Sequence, residues 1–361
     1  MKSLKSIIAI MLCFIMVLSF TACHKQNEVA VTINGIEFTS AMYSYALINA
    51  DSEARTIVEE QLNAAATEEN PVPDVIDYYS QKIEDKTFEQ WVQDEAIKSL
   101  ANWAAYSTLC KENNITLDEE TLNEVKSYSA YYYSYYSALF EANGIGESTY
   151  TKMMEYDYLA DKYFTFLYGK EGSKAVAEND IKDYYAKNYR VAFILEKSLA
   201  ELSDADKTNA KAELEDYQKQ LNGGESIVEV YNKFYNLSEE TAATTGYSPA
   251  KEVKECVTYI SDPDVDTNYG AEFFEDVKDL AAGKSKIVET GTDDAKTLYL
   301  VLIVDPYGDT SYLEGLGGTI RWNLKSEEFM KDIETYAATL PVKKNNYAIK
   351  GFKVKDIDYG Q

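Results

Sequence analysis

The chain has 361 residues, 45% of them hydrophobic, enough to bury sizeable cores and to divide into two or more domains. Lys and Arg number 35 against 61 Asp and Glu, and the net charge of −26 excludes sequence-independent binding to phosphate backbones. A single histidine, His24, rules out Ser-His-Asp and Cys-His catalysis and HExxH zinc sites.

The N-terminus reads as an address label. Lys2 and Lys5 form a short basic region, and residues 7–20 are almost wholly apolar. That run is too short to span a ~30 Å hydrocarbon core as a helix but suits a signal peptide. Small residues then precede a cysteine in Phe20-Thr21-Ala22-Cys23, which resembles the lipobox of bacterial lipoproteins. The resemblance implies acylation of Cys23 as the mature N-terminus, although Phe20 stands where that family usually has Leu. A plain secretory signal with a chance cysteine is the alternative. Cys110 and Cys256 have no CxxC spacing, which excludes a thioredoxin-like motif or a zinc site; both read as small buried hydrophobes.

Residues 28–38, EVAVTINGIEF, predict a hairpin turning at Asn34-Gly35, followed by a helix capped by Thr39. Pro71-Val72-Pro73 marks a loop. Three long helices follow. The first covers 88–110, with Thr87 and Gln90 as its capping box. The second starts at a Thr116…Glu119 box and runs to 142, and the third covers 148–168. A short helix over 180–188 leads into a strand over 189–196. Helices over 204–221, 226–234 and 273–281 come next, then a buried strand over 297–305. A helix over 320–340 stops at Pro341, and 347–357 is predicted to be extended.

This order resembles the secreted foldases of the PrsA and SurA type, in which a parvulin prolyl-isomerase domain is inserted into a helical chaperone domain. VAVTINGIEFTSAMY is similar to the family's opening strand, turn and helix. ENDIKDYYAKNY at 178–189 resembles its linker helix, and Arg190-Val191-Ala192-Phe193-Ile194-Leu195 resembles its Arg-Ala-Ser-His-Ile-Leu strand. Ala210, Leu214 and Gly224-Glu225 fit the first parvulin helix and its boundary. Phe273, Leu280, Gly283 and Val288 fit the late helix and turn, and 299–304 the last strand.

The resemblance implies an α+β chain: a mainly helical SurA-like chaperone domain with an inserted small parvulin-like α/β domain. The expected boundaries are a lipoprotein signal peptide over 1–22 and a helical domain over 23–188. A parvulin-like domain over 189–306 follows, and 307–361 packs back on the N-terminal helices through an apolar stripe around Trp322 and Phe329. The family's two catalytic histidines fall on Phe193 and Leu300, and its pocket residues on Tyr269 and Lys278. A proline cup holding a lysine and no imidazole is expected to be inactive, since lowering the ~18–20 kcal/mol barrier needs a snug pocket with placed donors.

Tyr128, Tyr131, Tyr132, Tyr133, Tyr135 and Tyr136 crowd the second long helix and run all the way round it, in a chain with 31 tyrosines. They read either as an adaptable surface for unfolded polypeptide or as a helix packed on two sides within a bundle. Asp262, Asp264 and Asp266 have EF-hand spacing, but Thr267 and Phe273 occupy the positions needing Gly and Glu, so a solvated acidic loop is the reading. Gly283-Lys284-Ser285 mimics a P-loop end by chance. No cofactor or metal is expected.

The function implied is a chaperone, lipid-anchored outside a bacterial cytoplasmic membrane of the Gram-positive type, that binds unfolded secreted polypeptides; a homodimer is left open. The alternatives are a prolyl isomerase with a remodelled site, and a dedicated binding lipoprotein on the same scaffold.

Overall fold

The computed structural model describes residues 27–67, 71–262, 269, 271–292, 296–304 and 311–360. Cys23, His24, Asp264 and Asp266 therefore lie outside the described residues. In chain order the elements are β1 (Val29–Ile33), β2 (Ile36–Thr39), α1 (Ser40–Ala65), β3 (Lys82–Ile83) and β4 (Lys86–Thr87). Then come α2 (Phe88–Glu112), α3 (Glu119–Ala142), α4 (Glu147–Tyr168), α5 (Glu178–Asn188) and β5 (Tyr189–Ser198). Next are α6 (Asp204–Asn222), α7 (Ile227–Phe234), α8 (Glu239–Thr245), β6 (Val257–Ser261), α9 (Ala271–Val277), β7 (Ser285–Thr290) and β8 (Thr297–Ile303). The chain closes with α10 (Ser311–Ala337), β9 (Val342–Lys344) and α11 (Asn346–Ile349). The fold class is α+β.

Two compact units result. One contains the chain up to Lys174 and again from Ser326; the other covers Ala175–Lys325.

In the first unit Asn34 and Gly35 both take positive φ, 50° and 80°, as a two-residue hairpin turn requires. The Thr39 hydroxyl accepts from the Met42 amide at 3.3 Å and starts α1. Thr87 and Gln90 form the reciprocal capping box of α2. Ala46, Ala50 and Ala54 on α1, with Ala96 and Ala104 on α2, are all buried, and small residues let the two helix axes approach closely. Phe329, from the far end of the chain, is fully buried against Tyr106, Phe164 and Tyr168, with ring centroids 6.0, 5.3 and 6.3 Å away. Trp322 does not share that stripe; it is 42% exposed.

Three expectations need correction. The cap of α3 is Asp118, whose carboxylate accepts from the Thr121 amide at 2.8 Å; Thr116 does not cap it. Residues 347–357 are not extended. The Asn345 side chain accepts from the Tyr347 and Ala348 amides and turns the chain into α11, and a 3-10 turn follows at Val354–Asp356. The extended piece is instead β9, which pairs antiparallel with β1, Thr32 opposite Lys343, in a sheet of order β2-β1-β9. Finally, the helix expected over 273–281 is α9, which ends at Val277.

The closing segment is fastened to the helices. Asp51, fully buried on α1, accepts from Arg55 Nε at 2.6 Å and from the Tyr359 hydroxyl. The Arg55 guanidinium lies 4.5 Å from the Tyr78 ring centroid and 5.2 Å from that of Tyr359. Asn143 Nδ2 donates to the Asp358 carbonyl at 2.6 Å, and the Asp358 amide donates back to Asn143 Oδ1 at 3.0 Å.

The second unit is built on an antiparallel sheet of order β6-β5-β8-β7. Its strands alternate, so each residue pair serves one face. Phe193, Leu195, Leu298, Leu300 and Leu302 pack with Leu214 of α6 and Val230 of α7. Ala192, Ile260, Val288, Val301 and Ile303 pack with Phe273, Phe274 and Val277 around α9.

Candidate functional site

Helix α3 is held by its ends and by one seam. Glu119 and Glu120 lie in its first turn, where the helix dipole favours acids. At the other end Gly144, with φ 73°, reverses the chain, and the Ile145 amide bonds back to the Phe140 carbonyl at 2.8 Å. Thr121, Val125, Ser129 and Phe140 are its buried residues. Ser129 and Thr151 share a hydroxyl contact of 2.8 Å with α4. Tyr133 turns inward, donating to the Ile145 carbonyl at 3.0 Å and stacking on Phe140 at 5.6 Å.

The other five tyrosines do not run round the helix as expected. Tyr128, Tyr131, Tyr132, Tyr135 and Tyr136 fall at i, i+3, i+4, i+7 and i+8, one side of a helix. Each is between 44% and 68% exposed. The rings support one another: Tyr131 meets Tyr132 edge-on at 5.3 Å and Tyr135 at 5.0 Å. The Tyr131 and Tyr135 hydroxyls are 3.0 Å apart, and that bond raises the Tyr131 pKa. No charged residue occurs between Lys126 and Glu141. The exposed surface over these turns is therefore made of Tyr, Ser and Ala alone.

Five half-exposed tyrosines present on the order of 500 Å². A typical monomer's largest apolar patch reaches roughly 300–600 Å² and is often functional. Tyr offers a large, stiff, amphipathic contact area with only two side-chain torsions, and Ser adds adaptable hydrogen bonding. Such a ridge can bind extended polypeptide without demanding one sequence.

The residues expected to form a proline cup are not brought together. Phe193 and Leu300 are fully buried on the α6 and α7 face, where Phe193 meets Tyr231 edge-on at 6.3 Å. Tyr269 belongs to the opposite face, stacked on Phe273 at 4.9 Å and edge-on to Tyr299 at 6.2 Å. Lys278 fills no cup. Its ammonium is paired with Glu275 at 2.6 Å on an exposed turn beyond α9. Its backbone carbonyl accepts from Arg190 Nε at 2.7 Å, and Arg190 Nη1 also donates to the carbonyls of Ala186 and Tyr189, so Arg190 acts as a staple.

The rings that do stand beside Tyr269 are Phe273 and Tyr299. The alternation in TLYLVLIVD carried that signal, because it sets Tyr299 and Leu300 on opposite faces. The second unit thus carries an aromatic patch without an imidazole.

Both described cysteines are free and buried, Cys110 in the first unit and Cys256 in the second. Burial pushes each thiol up to about 11, so neither is a ready nucleophile. Among the described residues no group of three or more His, Cys, Asp or Glu could hold a metal, and no described helix is long and apolar enough to cross a membrane.

No protein-family model matches the chain, and no curated protein matches it. Among solved structures it is similar to the foldase protein PrsA from Lactococcus lactis, with 14% identity and a TM-score of 0.39 over 73% of this chain and 88% of that one. PrsA from Streptococcus pneumoniae gives 12% identity and 0.38 over 77% and 98%. PrsA from Bacillus subtilis gives 14% and 0.34 over 68% and 84%. At such identities and TM-scores the likeness carries no argument about activity, which has to come from the residues.

Proposed function

We propose that the chain is a foldase-like chaperone of the PrsA and SurA type, anchored outside the cytoplasmic membrane by lipid on Cys23. It holds unfolded or nascent secreted polypeptides on the tyrosine ridge of α3. The observation that carries this reading is the ridge itself: five exposed tyrosines on one side of a charge-free stretch, three of them in ring contact, in a chain with net charge −26. An acidic protein stays soluble and self-repelling while this neutral surface accepts clients of varied sequence.

The first unit is the chaperone domain in this reading, and the second a parvulin-like domain that no longer catalyses. The second reading has no support in an imidazole, since the sole histidine is His24. Phe193 and Leu300 serve as core, which leaves them unable to touch a substrate proline.

Two assays on the purified mature protein test this. It should slow aggregation of several unrelated unfolded proteins, and replacing Tyr128, Tyr131, Tyr132 and Tyr135 together with Ser should remove most of that protection. Refolding limited by X-Pro isomerisation should proceed at its uncatalysed rate. Catalysed refolding would establish the remodelled isomerase instead, and protection unaffected by the four substitutions would remove the ridge from the mechanism.

A further inference from the structure

The segment 342–355, VKKNNYAIKGFKVK, carries five lysines and no acid, in a chain where acids outnumber bases by 61 to 35. Lys343, Lys344, Lys350, Lys353 and Lys355 are all exposed, and none is paired with a described carboxylate. In the same unit Lys86, Lys98, Lys152 and Lys174 each sit beside an acid, whereas Lys111 and Lys162, like the five, are in no described ion pair; what sets the five apart is their clustering in one acid-free segment. Among the five stands Tyr347, 80% exposed on the short helix α11. Tyr347, Lys350 and Lys353 line one side of a groove of about 570 Å³, whose walls also include Glu28, Glu141 and Asp356.

The position of this strip is fixed by the pairing of chain ends. The Asn345 amide donates to the Ala30 carbonyl at 2.8 Å, and Asn345 Nδ2 donates to the Val29 carbonyl at 2.9 Å. Lys343 and Lys344 stand opposite Thr32 and Val31. Glu28 is five residue steps from Cys23, so the two are at most about 18 Å apart. A lipid on Cys23 holds the bilayer surface within that distance of Glu28, whose carboxylate accepts from Asn345 Nδ2 of the strip at 3.3 Å.

We infer that the lysine strip with Tyr347 is a docking surface for anionic phospholipid headgroups, which orients the anchored protein on its membrane. The choice of a bilayer rests on the lipid-anchor reading above. Three features fit this partner. The strip has the charge opposite to an anionic leaflet, and juxtamembrane lysines are attracted to such a surface within a Debye length. Acids beyond roughly 8 Å are screened at physiological ionic strength, and the five lysines of the strip outnumber Glu28, Glu141 and Asp356 of the adjoining groove, so the local sign stays positive. Tyrosine beside lysine suits the headgroup layer, where an amphipathic ring keeps its hydroxyl wet.

The test uses the full chain recovered from membranes of a producing cell and bound to vesicles. One vesicle set is phosphatidylcholine alone and the other also contains phosphatidylglycerol. Flotation with the neutral vesicles reads the lipid anchor by itself. Acetylation of individual lysines, read by mass spectrometry, reads the docking surface. The five strip lysines should be modified several-fold more slowly on the anionic vesicles, with Lys111 and Lys162 unchanged, and high salt should abolish the difference. Equal rates on the two vesicle types would overturn the proposal even where flotation succeeds. If flotation with neutral vesicles fails, the anchor reading falls, and the five lysines compared with and without anionic vesicles still decide the surface.

Discussion

Replacing Phe329 with Ala tests whether the end of α10 is part of the helical unit's core. The ring is fully buried and meets Tyr106, Tyr163, Phe164 and Tyr168 at centroid distances between 5.3 and 6.3 Å. Truncating a buried Phe to Ala costs about 3–5 kcal/mol in transfer and cavity terms. Whole domains are stable by about 5–15 kcal/mol, so this loss is large. With a urea slope of about 2 kcal/mol per molar, the midpoint should fall by roughly 2 M. Tryptophan fluorescence is the right probe, because two of the three tryptophans, Trp91 and Trp103, are buried in the first unit, while Trp322 belongs to the second. Tyr347→Ala, at an exposed site, is the control and should move the midpoint by less than about 0.3 M. A Phe329→Ala shift no larger than the control would refute the packing of the C-terminal helix described above.

Further outcomes follow from the same contacts. Burial raises the hydroxyl pKa of Tyr43 and Tyr106 to about 12, and burial with the Asp51 bond raises that of Tyr359. A raised folded pKa favours the native state fully below the unfolded tyrosine value near 10, and the benefit is lost as pH rises through the folded values. The urea midpoint should therefore fall between pH 10 and 12; a midpoint constant over that range would contradict the burial. Cys23→Ala should leave the precursor without acyl label and with altered mobility, and normal labelling of the variant would disprove anchoring at that residue. Phe193→His with Leu300→His should lower stability by several kcal/mol without adding isomerase activity, because both imidazoles enter an apolar core. Isomerase activity in that variant would mean the two positions reach substrate after all.

The sequence was most legible where one local interaction decides the structure. The Asn34-Gly35 turn, the Thr39 cap and the Thr87–Gln90 box are each complete within four residues, and each occurs as expected. The edge strand β9 was not legible. Val342-Lys343-Lys344 is exposed throughout and has no apolar alternation; it becomes a strand only because β1, three hundred residues earlier in the chain, offers it a partner. Around α3 the local pattern was ambiguous because all six tyrosines look alike in sequence. The inward one is selected by a distant acceptor, the Ile145 carbonyl, which leaves five on one exposed side. In the second unit the strands were readable but the cup was not. Matching Phe193 and Tyr269 to one pocket ignored the alternation that sends them to opposite faces of the sheet.

The most direct test of the ridge as a client surface is a photo-crosslinking residue in place of Tyr135, the most exposed ring of the five, in living cells. The same residue in place of Val75, which is apolar and 86% exposed but lies off the ridge, is the comparison. Chaperone function requires many different secreted polypeptides crosslinked at 135 and few at 75. A single dominant partner at 135, or equal capture at both positions, would contradict it.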